Sequence, residues 1–142
     1  KRIPCMLQYT PDINGDTKAL GIVGEAIKHT WSPRIHNASA NFSGINCIYM
    51  PFDLPANKIQ GFLDLQWELG ALGFNVTVPH KTTVAVLFPN SELSSVNTIY
   101  RGESGWSVAS TDAEGFENGL NQISKNIADF KKIVILLNFY NV

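Results

Sequence analysis

The stretch Gly73-Phe74-Asn75-Val76-Thr77-Val78-Pro79-His80-Lys81 sets an amide, a hydroxyl and a cation within seven residues, Asn75 to Lys81. Asn75 and Thr77 lie two apart, so on a strand they share one face. Pro79 stops the strand, and Lys81 opens the next element. Two other segments carry similar groups: His29-Thr30-Trp31-Ser32-Pro33 and Ser110-Thr111-Asp112. Val96-Asn97-Thr98 adds an amide within a strand-like run. Together these groups suit a small polyhydroxylated acid. Hydroxyls and helix-end N–H groups suit a carboxylate, and amides and a carboxylate suit alcohols.

Each residue also has a plainer reading. Ser32 before Pro33 is a good helix cap with or without a ligand. Thr111 and Asp112 can simply cap and charge a helix N-terminus. Asn97 can satisfy a bulge, and Lys81 can be a solvated lysine. His29, His36 and His80 lack metal-ligand spacing and read as structural or exposed, so no metal is expected.

The elements that must hold these groups follow from periodicity. Lys18–Gly24 reads as a short buried strand ending in glycine. A helix follows from Ser32, with Ile35, Ala38 and Phe42 at spacings of three and four. Cys47–Phe52 is a second strand, and its proline predicts an edge or an early end. Pro55–Leu69 is a helix with Ile59, Phe62, Leu63, Gln66 and Leu69 along one side. Ala71–Val78 is a third strand and His80–Phe88 a short helix. Ser95–Tyr100 and Trp106–Ser110 flank the turn Arg101-Gly102-Glu103-Ser104-Gly105. Thr111-Asp112-Ala113-Glu114 has the capping-box pattern, and Phe116, Leu120, Ile123 and Ile127 mark the helix after it. Lys131–Leu137 is a last apolar strand. Strands alternating with helices predict an α/β layered domain with a mainly parallel sheet flanked by helices. Such sheets place ligands at the carboxyl ends of their strands.

The bulk numbers narrow the class. The chain has 142 residues, 44% hydrophobic and 16% charged, with net charge −1. That suits one domain with a proper core. There is no basic stripe, so nucleic acid is not an expected partner, and neither is a membrane surface. No apolar run approaches the ~20 residues of a membrane helix, and Lys1–Asp12 has no apolar leader core. Cys5 and Cys47 form neither a metal set nor a disulfide framework, and read as reduced thiols of a cytoplasmic protein. Three glycosylation-type triplets, at Asn37, Asn41 and Asn75, are chance matches on this reading.

The motifs then meet a known pattern. GFNVTVPHK resembles the G-x-N-V-T-x-P-x-K signature of shikimate dehydrogenases. HTWSPRIHNA resembles their H-S-x-S-P-x-x-H-N segment, SSVNTI their G-A-V-N-T, and STDAEGF their N-T-D-x-x-G-F. The four occur in the family's order and span residues 18–120.

The resemblance implies an N-terminal shikimate-binding domain followed by a Rossmann-type NADP-binding domain. It implies reversible, NADPH-dependent reduction of 3-dehydroshikimate to shikimate, in aromatic amino-acid biosynthesis. By motif position, Thr30 and Ser32 hold the substrate carboxylate. Asn75, Thr77, Asn97 and Asp112 bind ring hydroxyls and neighbouring groups. Lys81 and Asp112 form the catalytic pair. A lysine in a partly desolvated pocket can have its pKa lowered toward working pH, which suits it to move the carbinol proton. Departures stand at Thr30 for the usual Ser, Ser95 for Gly, Ser110 for Asn and Ala113 for Gly. Quinate-active relatives share much of the signature, so a quinate/shikimate dehydrogenase is an alternative.

The end of the sequence departs most. Lys131–Leu137 resembles the strand that leads into the family's G-x-G-G turn, but Asn138-Phe139-Tyr140-Asn141-Val142 follows it. The expectation is therefore a shikimate-binding catalytic domain over 1–127, with 1–17 a loose lead-in. Residues 128–142 would be the first strand of a truncated NADP-binding domain. No cofactor-binding residue is expected within this chain. The chain alone is expected to be inactive, and a non-catalytic shikimate-binding fragment or remnant is the other alternative. The strand Ile133–Leu137, left without partners, is expected to favour self-association.

Overall fold

The computed structural model describes residues 12–123. It divides into two units, Lys1–Ser110 and Thr111–Val142. The predicted strand at 131–137, its self-association and the end of the last helix at Ile127 lie outside the described residues.

The first unit is built on five strands: β1 (Lys18–Gly24), β2 (Cys47–Asp53), β3 (Gly73–Val76), β4 (Thr98–Arg101) and β5 (Trp106–Ala109). Their order in the sheet is β2-β1-β3-β4-β5. β1 pairs parallel with β2 and with β3, while β4 runs antiparallel to both β3 and β5. Four strands therefore point one way and β4 the other, the mainly parallel α/β sheet the sequence predicts. Helices α1 (Ser32–Phe42), α2 (Ile59–Glu68) and α3 (Lys81–Leu87) fill the connections. In the second unit, α4 spans Asp112–Ile123.

Strand alternation sorts the core. Val23, Phe74 and Val76 pack with Ile59 and Leu63 of α2 and Val84 of α3. Ile22 faces the other way, into a smaller cluster with Tyr49 and Ile27. Asn75 lies between Phe74 and Val76, so it too turns away from the larger cluster. Phe52 and Phe62 meet Phe74 edge-on within the larger cluster and are tilted to one another, with ring centroids 4.8 to 5.7 Å apart.

Helix α1 exists where predicted but docks on a different face. Ala40 is its buried residue, and Phe42 is 93% exposed. The reason is polar: the helix seats on the side that lets Asn37 reach the β2 backbone, where its amide bonds both Tyr49 N–H (2.8 Å) and Tyr49 C=O (2.9 Å). Helix α2 does bury Ile59 and Leu63, while Leu69 at its C-cap is exposed.

Candidate active site at the sheet edge

Strands β1 and β3 end side by side. Thr77 follows β3, and its N–H bonds Val23 C=O at 2.9 Å. Gly24 permits this approach: a Cβ there would come within 2.6 Å of Thr77 Cγ2. Because β4 is antiparallel, its start lies at the same edge. Val76 N–H donates to Asn97 C=O at 2.8 Å, and Asn97 N–H donates to Ala109 C=O at the end of β5, 3.1 Å away. Asn97 thus stands just before β4 and not inside a strand. It is 9% exposed, and its Oδ1 accepts the Thr98 hydroxyl at 3.0 Å.

Lys81 is the first residue of α3 and half-buried. Val96 N–H donates to its carbonyl at 3.0 Å, which ties the lysine's backbone to the segment carrying Asn97. The preceding His80 is fully buried. Its Nε2 lies 2.7 Å from Leu54 C=O, so this nitrogen carries the proton and pins the start of α3 to the β2–α2 connection. His80 is thus structural, as its lack of metal spacing suggests. Among the described residues, no three His, Cys, Asp or Glu side chains group as metal ligands.

Thr30 and Ser32 flank the start of α1. The Thr30 hydroxyl donates to Ser32 Oγ at 3.2 Å and accepts Ser32 N–H at 3.3 Å. Ser32 is the first helical residue, and Trp31 holds the cap position without a side-chain cap bond. The cap reading of Ser32 therefore gives way: its hydroxyl pairs with Thr30 instead. The Tyr49 hydroxyl donates to Asn75 Oδ1 at 2.7 Å. Thr30 and Ser32 thus pair at the α1 N-terminus, and Tyr49 and Asn75 pair across the sheet. Burial pushes the Tyr49 phenol up to about 12, opposed by a weaker lowering from the nearby Ser32 hydroxyl. Burial also raises the Cys47 thiol.

Sequence reasoning passed over Tyr49. The available signal was its place in Cys47-Ile48-Tyr49: alternation with Cys47 turns its ring inward, and a buried tyrosine needs a partner for its hydroxyl. Of the predicted site residues, Thr30, Ser32, Asn75, Thr77, Lys81 and Asn97 belong to the first unit. Asp112 belongs to the second, where it opens α4 beside Thr111, whose carbonyl accepts Gly115 N–H at 2.9 Å.

A groove of about 520 Å³ lies elsewhere, lined by Asp64, Trp67, Glu68 and Trp106 among others. It sits by the β4–β5 turn, the far end of β4 from Asn97. Arg101 packs there against Trp67, 3.8 Å from the ring centroid, and bonds Ala71 C=O at 2.7 Å. None of the motif residues lines it, so the strand-end cluster is the better candidate despite the groove's size.

A family model for the shikimate dehydrogenase substrate binding domain matches residues 22–99. The chain belongs to this family. A shikimate dehydrogenase (NADP(+)) of Thermosynechococcus vestitus is 38% identical over 119 residues, covering 80% of this chain and 42% of the relative. Among solved structures, shikimate dehydrogenase from Aquifex aeolicus superposes with a TM-score of 0.71 at 28% identity, over 78% of this chain and 44% of that one. The Listeria monocytogenes shikimate 5-dehydrogenase, in complex with shikimate and NAD, gives 0.72 at 25% identity, over 81% and 42%. This chain thus spans about two-fifths of the length of the curated relatives it matches. Among the described residues, no helix is long and apolar enough to cross a membrane.

Proposed function

We propose that this chain is the substrate-binding and proton-handling domain of a shikimate dehydrogenase. The reaction would be the reversible, NADPH-dependent reduction of 3-dehydroshikimate to shikimate, in the cytoplasm. The observation that carries the reading is the meeting of three family motifs at one sheet edge. The Thr30–Ser32 pair lies at the α1 N-terminus, and Asn75 and Thr77, at the end of β3, are tied through the backbone of Val76 to Asn97 before β4.

In this reading the substrate carboxylate lies against Thr30 and Ser32, whose hydroxyls turn from one another to donate to it beside the first-turn N–H groups of α1. Ring hydroxyls take Asn75, Thr77 and Asn97, a mix of donors and acceptors suited to alcohols. Lys81 shuttles the proton of the carbinol oxygen as the carbon changes between alcohol and ketone. Positioned acid–base help of this kind contributes about 10²–10⁴-fold. Asp112 takes its role, as partner of Lys81 and ligand of a hydroxyl, from motif position alone.

The hydride itself belongs to the dinucleotide. The glycines of the described strands, Gly21, Gly24 and Gly73, are packed against protein atoms, so none of them can be the close-approach glycine of a pyrophosphate turn. The chemistry assigned to this chain stops at orienting the substrate and moving its proton. The test is calorimetric titration of the chain with shikimate, with NADP in parallel. Saturable shikimate binding is expected, and its absence overturns the proposal.

A further inference from the structure

We propose that Tyr49 is a positioning residue that sets the hydrogen-bonding polarity of Asn75 and so the substrate group this amide can read. The inference rests on the shikimate-binding reading and adds a residue to it. Tyr49 is 5% exposed, and its hydroxyl donates to a proposed site residue, Asn75, at 2.7 Å. A phenol that donates to Asn75 Oδ1 leaves the amide's Nδ2 as the group turned to a ligand. Asn75 then offers protons and demands an acceptor, such as a ring oxygen. Without the phenol, either end of the amide can face the site. A phenol is protonated at neutral pH, so the donor is always present there.

The protein holds Tyr49 in place with two residues of the α1 motif. Asn37 bonds both backbone groups of Tyr49, at 2.8 and 2.9 Å. His36 stacks on the ring, with centroids 4.2 Å apart and planes 10° from parallel. The residues His36-Asn37, which the carboxylate site does not use, thus serve the tyrosine. The arrangement fixes one hydroxyl from three sides: helix stack, backbone clamp and strand.

The test is a double-variant cycle on the full chain, read by shikimate titration. Tyr49→Phe keeps the ring, the stack and the clamp, and removes the hydroxyl. It should bind shikimate about three- to tenfold more weakly. Asn75→Ala should bind more weakly too, and adding Tyr49→Phe to it should cost nothing further. A simply structural tyrosine would weaken both backgrounds by the same factor, and that additivity would overturn the role, as would wild-type affinity in Tyr49→Phe. The Asn75 side-chain amide signals, followed by nitrogen-edited NMR without ligand, give a readout independent of the substrate. They should shift in Tyr49→Phe, and unmoved signals overturn the orientation role whatever binds. A wild-type chain that fails to bind shikimate overturns the functional reading itself.

Discussion

Lys81 and Ser32 carry different parts of the chemistry, and substitution should separate them. Lys81→Ala, in an enzyme carrying this domain, should lower turnover by about 10²–10⁴-fold and leave shikimate binding nearly intact. Steady-state kinetics checks this, and near-normal turnover would contradict the proton-transfer role. Ser32→Ala should do the reverse. It removes a hydroxyl proposed to meet a carboxylate, and hydrogen bonds to charged groups are worth about 1.5–3 kcal/mol, so affinity should fall about tenfold or more. Ser32 does not cap α1, so the melting temperature should change little. Tyr49 makes a prediction about pH. Its phenol is raised from 10.0 to about 12 in the folded chain. The folded state holds the proton longer than the unfolded one, so this contribution to stability is full below about pH 10 and is lost as pH rises through 12. Urea denaturation of wild type should therefore show a steeper fall in stability between pH 10 and 12 than Tyr49→Phe. Parallel curves would show that the phenol is not held as described.

At the scale of elements, the site depends on how closely β1 and β3 end together. Gly24→Ala would drive a methyl group into Ile27 Cγ2 at 2.5 Å and Thr77 Cγ2 at 2.6 Å. Such overpacking costs about 1–3 kcal/mol, and it should weaken shikimate binding as well by moving Thr77. Thermal denaturation and titration of the same variant check both effects. Leu63→Ala, in the core between α2 and the sheet, should cost about 2–5 kcal/mol by leaving a cavity. The periodicities made most of these elements legible. Lys18–Gly24 holds to the residue, because a short apolar run closed by glycine has few alternatives. The face of α1 was not legible, since Ile35 and Phe42 suggested an apolar stripe while a polar amide, Asn37, decides the docking. Asn97 falls outside the strand that the pattern Ser95–Tyr100 suggests. Its backbone bridges β3 and β5 instead.

At the scale of the molecule, the sheet brings together residues that are far apart in sequence. Thr30 precedes α1 and Ser32 opens it, Asn75 lies in β3 and Thr77 follows it, and Asn97 precedes β4. The antiparallel turn of β4 brings Asn97 to the strand ends where the parallel part of the sheet already gathers the others. Motif identity made these positions visible in the sequence. The link through Tyr49 depends on a cross-strand distance that no local pattern encodes, and so it emerged from the structure. The sharpest test of the account is NMR mapping of shikimate on the isotopically labelled chain. Saturable shifts should centre on Thr30, Ser32, Tyr49, Asn75, Thr77 and Asn97, and leave the Trp67–Trp106 groove unmoved. Shifts confined to that groove, or none at saturating shikimate, would contradict the claim that this sheet edge is the substrate site.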